Sequence, residues 1–293
     1  MFTRLYAWWE GTDPNGAGTG DAHGGGAGGQ GKPVAAWPAA RLAAAQRLFG
    51  EGSTFPAAEK IIAHQIQPLA MDATTNLLDM AAGIGTAARF IAQNAGAQVT
   101  GLEVDPAQVE QANRFAEIAG LGEKVTVQEG GLGNCDIKPG TQDMIYGRET
   151  LLGLVDKDKT CREIWSLLRP GGQVLLLDFM AKKADAAKGD AAAWGQFEKM
   201  KPQLSTVEQI KQSLTASFLD VQLAEDISKD FCGQILRGLA DVARNLKQDS
   251  IPKDERPWIL WEVEMWARRA DMLQAGHIGF YRIHASKAED DTA

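Results

Sequence analysis

The sequence predicts an α/β protein built on a doubly wound, mostly parallel seven-stranded sheet, with helices ahead of the sheet and a helical insertion before its last strand. Three observations carry that prediction. Between residues 76 and 178, short apolar runs of strand length alternate with stretches of helical spacing, the pattern of βαβ units. The first run passes through Ala81 to Thr86, a turn holding two glycines, straight into a helical stretch. Further on, Arg169-Pro-Gly-Gly172 turns the chain into Gln173 to Asp178, an apolar strand of the kind covered on both faces.

In chain order, residues 1–10 (MFTRLYAWWE) form a short aromatic segment expected to dock on its own domain. Residues 11–36 are a Gly-rich linker whose backbone entropy is costly to fix. Ala39 to Phe49 and Ala57 to Met71 repeat apolar residues at helical spacing, which places two helices before the first strand, Asn76 to Met80. Ala87 to Asn94 is the helix behind the turn, and Gln98 to Glu103 the second strand. Asp105-Pro106 opens the next helix, with Asp as N-cap, Pro in the first turn and Gly120 past the end. Lys124 to Gln128 and Asp143 to Tyr146 are strands three and four, and Lys159 to Leu168 is the helix ahead of strand five. Ser205-Thr-Val-Glu208 has the capping-box spacing and opens a helix before a sixth strand, Phe218 to Leu223. Residues 229–275 are the helical insertion, Ile278 to His284 closes the sheet, and residues 288–293 are an acidic tail, so the main domain is expected over 37–287.

Of 293 residues, 38 are acidic and 30 basic, for a net charge of −8, with 44% apolar; this is an ordinary profile for a soluble globular chain. Phosphate tracking needs clustered cations, and no such run exists, so nucleic acid is not an expected partner. Cys135, Cys161 and Cys232 are odd in number, far apart and outside any C-x-x-C pair, which argues against a disulfide framework or a cysteine metal site. No stretch approaches the roughly 20 apolar residues of a membrane span, and no signal-peptide pattern opens the chain. The expectation is a cytoplasmic protein without a metal; a homo-oligomer stays open.

The chemistry lies in Leu77-Leu-Asp-Met-Ala-Ala-Gly-Ile-Gly-Thr86. Small residues there let a ligand approach the backbone, and the following helix start offers unpaired N–H groups. Gly83, Gly85 and Ala88 satisfy the dinucleotide G-x-G-x-x-A pattern, and Glu103 lies 18 residues beyond Gly85, near the place of a ribose-binding acid. Asp79 decides against a pyrophosphate at this turn, because an anion there is repelled while a cationic amino-acid ligand is attracted.

With the Leu168-to-Asp178 segment in the place of strand five, the chain resembles the class I S-adenosylmethionine-dependent methyltransferases over roughly Trp37 to Lys287. The resemblance implies S-adenosyl-L-methionine as cofactor. Asp79, Ala81, Gly83 and Gly85 then match the motif around its methionine moiety, Glu103 the ribose acid, and Val104 a residue flanking the adenine, with Gly131 and Leu132 at the end of strand three. Arg47 to Pro56 and Tyr146-Gly-Arg-Glu-Thr-Leu-Leu-Gly-Leu154 are similar to segments of the small-molecule branch that includes phosphoethanolamine and sarcosine-type N-methyltransferases. Arg148 and Glu149 match positions that there touch the cofactor and the acceptor amine. Two departures stand out. Trp37 and Gly153 occupy the places of the branch's Tyr and His, and Gly130-Gly131 leaves no acid for the adenine amino group.

Glu149 either orients or deprotonates an acceptor, or pairs with Arg148. Asp178 either faces the ligand edge or caps a helix, and the four histidines are structural. Between Pro257 and Leu273, Ile259, Val263, Trp266, Ala270 and Leu273 form one apolar helical stripe; Trp258, Trp261, Met265 and Met272 form another. The second stripe either packs on another helix or subunit, or roofs an acceptor pocket with Trp37, favouring an apolar or aromatic substrate or a methylated cation. The expected function is methyl transfer to a nitrogen or oxygen of a small molecule. The competing expectation is a methyltransferase-like protein without turnover, acting as partner subunit or ligand-binding regulator.

Overall fold

The computed structural model describes residues 37–289 apart from residue 68, residues 185–187 and residues 247–250. The expected aromatic segment, the linker and residues 290–293 of the acidic tail lie outside the described residues. Two helices, α1 (Ala39–Phe49) and α2 (Ala58–Gln65), precede the sheet. The second is shorter than its apolar spacing predicts; proline at position 68 disfavours helical backbone in the residue before it.

Strands β1 (Asn76–Asp79), β2 (Gln98–Glu103) and β3 (Val125–Glu129) alternate with helices α3 (Thr86–Ala95) and α4 (Pro106–Ile118). Then follow β4 (Gln142–Arg148), α5 (Lys157–Leu167) and β5 (Leu168–Ala181). The remaining elements are α6 (Lys188–Glu198), α7 (Val207–Ala216), β6 (Leu219–Asp226), α8 (Ser228–Asn245), α9 (Arg256–Ala275) and β7 (Ile278–Lys287). The seven strands lie in the order β3-β2-β1-β4-β5-β7-β6, and every neighbouring pair is parallel except the two made by β7. The strand order reverses between β1 and β4, which opens a crevice at the carboxyl ends of the strands. Asp79, Glu103 and Arg148 are the last residues of β1, β2 and β4, so the topology delivers all three to that edge.

Two local expectations need correction, and two details lie beyond the sequence reading. β5 begins at Leu168: Gln142 pairs with Leu168 and Met144 with Gln173, so the Pro-Gly-Gly turn is absorbed as an irregularity within the strand. The capping box sits one residue later than its sequence match, with Thr206 and Gln209 bonding each other's backbone N–H groups. The insertion before the last strand holds two separate helices. Helix α6, rich in alanine, has no counterpart in the sequence reading.

The core lies on both faces of the sheet. On β5, Leu175, Leu177 and Phe179 join the cluster beneath α1, α2, α8 and α9, while Val174, Leu176 and Met180 join the opposite one. That two-sided burial is why residues 173–178 read as an unbroken apolar run.

Candidate functional site

Asp79 ends β1 fully buried, and the turn behind it folds back on β2. Ala82 N–H donates to the Leu102 carbonyl at 2.9 Å, and Gly83 N–H donates to Glu103 Oε2 at 3.0 Å. Gly83 (φ 54°) and Gly85 (φ 73°) take left-handed backbone, where any side chain is strained. Glu103 Oε1 accepts from Asp105 N–H at 2.9 Å, and Asp105 caps α4 by accepting from Ala107 N–H. Each Glu103 oxygen thus keeps lone-pair capacity at the mouth of the crevice.

Asp79 Oδ1 accepts from Ala81 N–H at 3.3 Å, whereas Oδ2 is buried without a partner. Burial, reinforced by the Glu103 charge, pushes its pKa to about 7 against the pull of the Ala81 N–H and Arg148. An isolated buried carboxylate oxygen of this kind is expensive unless a cation meets it. Beside it on β4, Tyr146 is buried with its hydroxyl unpartnered, and burial raises its pKa. Arg148 stacks 3.8 Å above the Phe55 ring, in the loop between α1 and α2. That loop is tied to α3 through the Gly52 carbonyl, which accepts from Thr86 Oγ1 at 2.8 Å and Arg89 Nη2 at 2.6 Å.

Glu149 follows in left-handed backbone (φ 55°) and meets two guanidinium groups, Arg148 Nη2 at 3.0 Å and Arg269 Nη1 at 2.6 Å. Although burial opposes ionisation, Arg269 and Arg148 together hold its pKa below the usual value. A carboxylate so engaged is a weak proton acceptor. Arg269 also grips Glu198 through both oxygens, at 2.8 and 2.9 Å, and Trp194 Nε1 donates to the same carboxylate at 2.5 Å. Asp178, buried and pushed up to about 7 by desolvation, accepts from the N–H groups of Leu151 and Leu152, so it caps the short turn after Glu149.

Two cavities, of about 460 and 500 Å³, share Ala81, Glu103, Val104 and Glu149. The first runs past Gly131 and Leu132. The second is lined by Asp79, Gly83, Tyr146 and Arg148 and also by Trp37, Trp261, Trp266 and Arg269. Two expected residues lie outside these linings: Gly85 serves as the N-cap of α3, and Trp258 packs edge-on against Trp261 at 6.3 Å. Of the second stripe of α9, Trp261 and Met265 therefore reach the cavity. The first stripe is buried throughout, with Trp266 also lining the cavity. Sequence reading missed Tyr146, Arg269, Glu198, Trp266's place in the cavity wall and Arg41, whose guanidinium lies between Trp37 and Trp261, 3.8 and 4.1 Å from their ring centroids. Arg269 was legible only as an interruption: it falls on the buried side of α9, three residues after Trp266 and one before Ala270. Among the described residues no group of His, Cys, Asp or Glu is arranged to hold a metal, and no helix is long and apolar enough to cross a membrane.

Residues 77–172 match the methyltransferase domain family. Phosphoethanolamine N-methyltransferase of Triticum aestivum is 29% identical over 68% of this chain and 39% of its own length. Norajmaline N-methyltransferase of Rauvolfia serpentina is 30% identical over 39% of this chain and 41% of its own. This chain thus spans about two fifths of those curated relatives. The structure of phosphoethanolamine N-methyltransferase 2 of Haemonchus contortus, solved with phosphomonomethylethanolamine and S-adenosylhomocysteine, superposes with a TM-score of 0.73 at 19% identity, covering 84% of this chain and 57% of that one. The crevice at the β1/β4 switch point belongs to that fold: residues 77–172, which match the methyltransferase domain family, sit in a seven-stranded sheet of the class I methyltransferase fold.

Proposed function

We propose that this protein binds S-adenosyl-L-methionine across the turn after β1 and transfers its methyl group to a nitrogen or oxygen of a small molecule. The observation that carries the reading is the buried, unpartnered Oδ2 of Asp79 beside two left-handed glycines. That donor set suits an ammonium group and a backbone-hugging ligand, and repels a pyrophosphate. Asp79 would take the amino group, the Ala81-to-Gly85 backbone the methionine chain, Glu103 the ribose hydroxyls, and Val104 and Leu132 the adenine. When bound, the cofactor supplies a methyl group on a positively charged sulfur. Orientation and exclusion of water by the Phe55 loop and the α9 roof then do most of the protein's part. The domain is read as residues 37–287, with α9 forming that roof. A cytoplasmic location is part of the reading, supported by three cysteines with no disulfide among them.

Titration calorimetry tests the assignment. S-adenosylhomocysteine is expected to bind and NAD not to. Glu103→Gln, which keeps the shape but loses one acceptor, is expected to weaken binding by about 1.5–3 kcal/mol. NAD binding, or unchanged affinity in the variant, overturns it.

The adenine end gives a second expected result. Gly131 has extended backbone (φ −141°), and a Cβ there would meet nothing closer than Asn134 Oδ1 at 3.8 Å. An acid fits without strain, so Gly131→Asp is expected to tighten S-adenosylhomocysteine binding by about 1 kcal/mol as the adenine amino group gains an acceptor. Weaker binding in a folded variant refutes it.

A further inference from the structure

The 500 Å³ cavity has two places besides Asp79 suited to a cation, and the protein's own arginines fill both. The slot between the Trp37 and Trp261 rings is the geometry that would cage a methylated ammonium, but the Arg41 guanidinium lies in it. Glu149, another carboxylate of the lining, is held by Arg269 at 2.6 Å and Arg148 at 3.0 Å. Two further groups of the same lining have the opposite polarity. Tyr146 and Trp266 both line the cavity, both are at least nine-tenths buried, and the Tyr146 hydroxyl and Trp266 Nε1 have no hydrogen-bond partner. An indole N–H can only donate, and a buried donor without an acceptor costs free energy that a ligand oxygen would recover. The remaining wall is aromatic and thioether, from Trp261, Trp266, Phe55 and Met265, which suits a planar ring.

From this we infer that the methyl acceptor is a small aromatic anion, presenting a carboxylate or phenolate oxygen to Tyr146 and Trp266, rather than a cationic amine. The inference rests on the methyltransferase reading above. Where the oxygen is a carboxylate, already ionised near neutral pH, no general base is needed. An anionic oxygen forms its bond to the methyl carbon with its own lone pair, the carbon–sulfur pair leaves with sulfur, and no proton has to move. That fits a Glu149 clamped by arginines.

Three probes of similar size and different charge test it: 3-hydroxybenzoate, 3-hydroxybenzamide and 3-hydroxybenzylamine. Each is titrated by calorimetry into the full-length protein saturated with S-adenosylhomocysteine. The anion is expected to bind about tenfold or more tighter than the amine, the scale of one charge-assisted hydrogen bond. Tyr146→Phe removes an unpaired buried hydroxyl, so the ligand-free protein is expected to melt no lower than wild type while its affinity for 3-hydroxybenzoate falls about tenfold and that for S-adenosylhomocysteine stays within twofold. A structural role for the hydroxyl would show the reverse, a lower melting temperature with anion affinity intact. Trp266→Phe, which keeps a ring and deletes the donor, is expected to lose anion affinity in the same way. Tighter binding of the amine, equal binding of all three, or binding of none with S-adenosylhomocysteine in place overturns the anion assignment. Failure of S-adenosylhomocysteine itself to bind overturns the methyltransferase reading and this inference with it.

Discussion

Replacing Arg269 by Met is expected to lower the stability of the ligand-free protein by about 3–5 kcal/mol, the cost of breaking a buried ion pair from one side. The guanidinium is nearly inaccessible and makes three short contacts, two to Glu198 and one to Glu149. It is also flanked by the Trp266, Phe179 and Trp194 rings, with centroids 4.8, 5.4 and 5.9 Å from its central carbon. Burial alone would lower its pKa, but Glu198 and Glu149 reverse the sign and raise it, so it stays charged across the accessible pH range. Met fills much of the volume, and the apolar part of the loss is therefore small. What remains is electrostatic: Glu198 keeps only the Trp194 N–H, and Glu149 keeps only Arg148. In a domain of this size the melting temperature should fall on the order of 10 °C. Removing the stranded charge as well, in Arg269→Met with Glu198→Gln, should restore part of the loss, with a coupling of about 1–3 kcal/mol between the two sites. Denaturant melts of the two single variants and the double variant measure it. An Arg269→Met protein that melts within a degree or two of wild type, or strictly additive effects, would show that the network holds nothing together.

The same network marks where sequence reading stops. The parallel sheet, its Gly turn and the edge residues Asp79 and Glu103 were legible because each follows from a local rule or spacing, whereas Arg148 came only from the family resemblance. Strand-length apolar runs place strands, and small residues at a strand-to-helix turn place a ligand there. The four-residue window around Asp79 contains everything that sets its position. Arg269, Glu198 and Glu149 are different, because they come from α9, α6 and the loop after β4, separated by 71 and 120 residues in the bonds that join them. No periodicity or spacing encodes such a meeting. A helical wheel of α9 shows Arg269 only as a charge on an otherwise apolar face, which reads as a fault in the stripe until its partners are known. Trp258 fails for a related reason: it shares a stripe with Trp261, but Trp261 is stacked face to face on Phe197 at 5.7 Å and shields it from the cavity. The stripe says which residues leave solvent; what they meet depends on α1 and α6. Tyr146 was hidden by its own apolar strand, where an aromatic residue reads as core, and only the unpartnered hydroxyl distinguishes it.

Asp79→Asn is expected to weaken S-adenosylhomocysteine binding by about 2–4 kcal/mol, thirtyfold or more, and to remove a pH dependence from both folding and binding. In the ligand-free protein the carboxyl titrates near 7, against 3.8 for an unperturbed Asp, because burial penalises its ionised form. Between those values the folded state holds a proton that the unfolded state has released. Stability contributed by this group is therefore complete below about pH 4 and is lost progressively as pH rises to about 7, a difference of about 4 kcal/mol. Asp178 titrates in the same range for the same reason and adds to the slope, so Asn at position 79 should flatten it partly. Ligand binding runs the other way. An ammonium beside Oδ2 favours the carboxylate, so binding pulls the pKa down and affinity rises as pH climbs toward 7, levelling off once the free protein is already ionised. Calorimetric titrations from pH 5.5 to 8.5 should show that rise in wild type and a flat, weak profile in Asp79→Asn, while melts over pH 4 to 8 show the shallower stability slope. Equal affinity of the two proteins at pH 8 would mean that the amino group is held elsewhere, and a wild-type affinity that falls between pH 5.5 and 7 would mean that Asp79 stays protonated against its ligand.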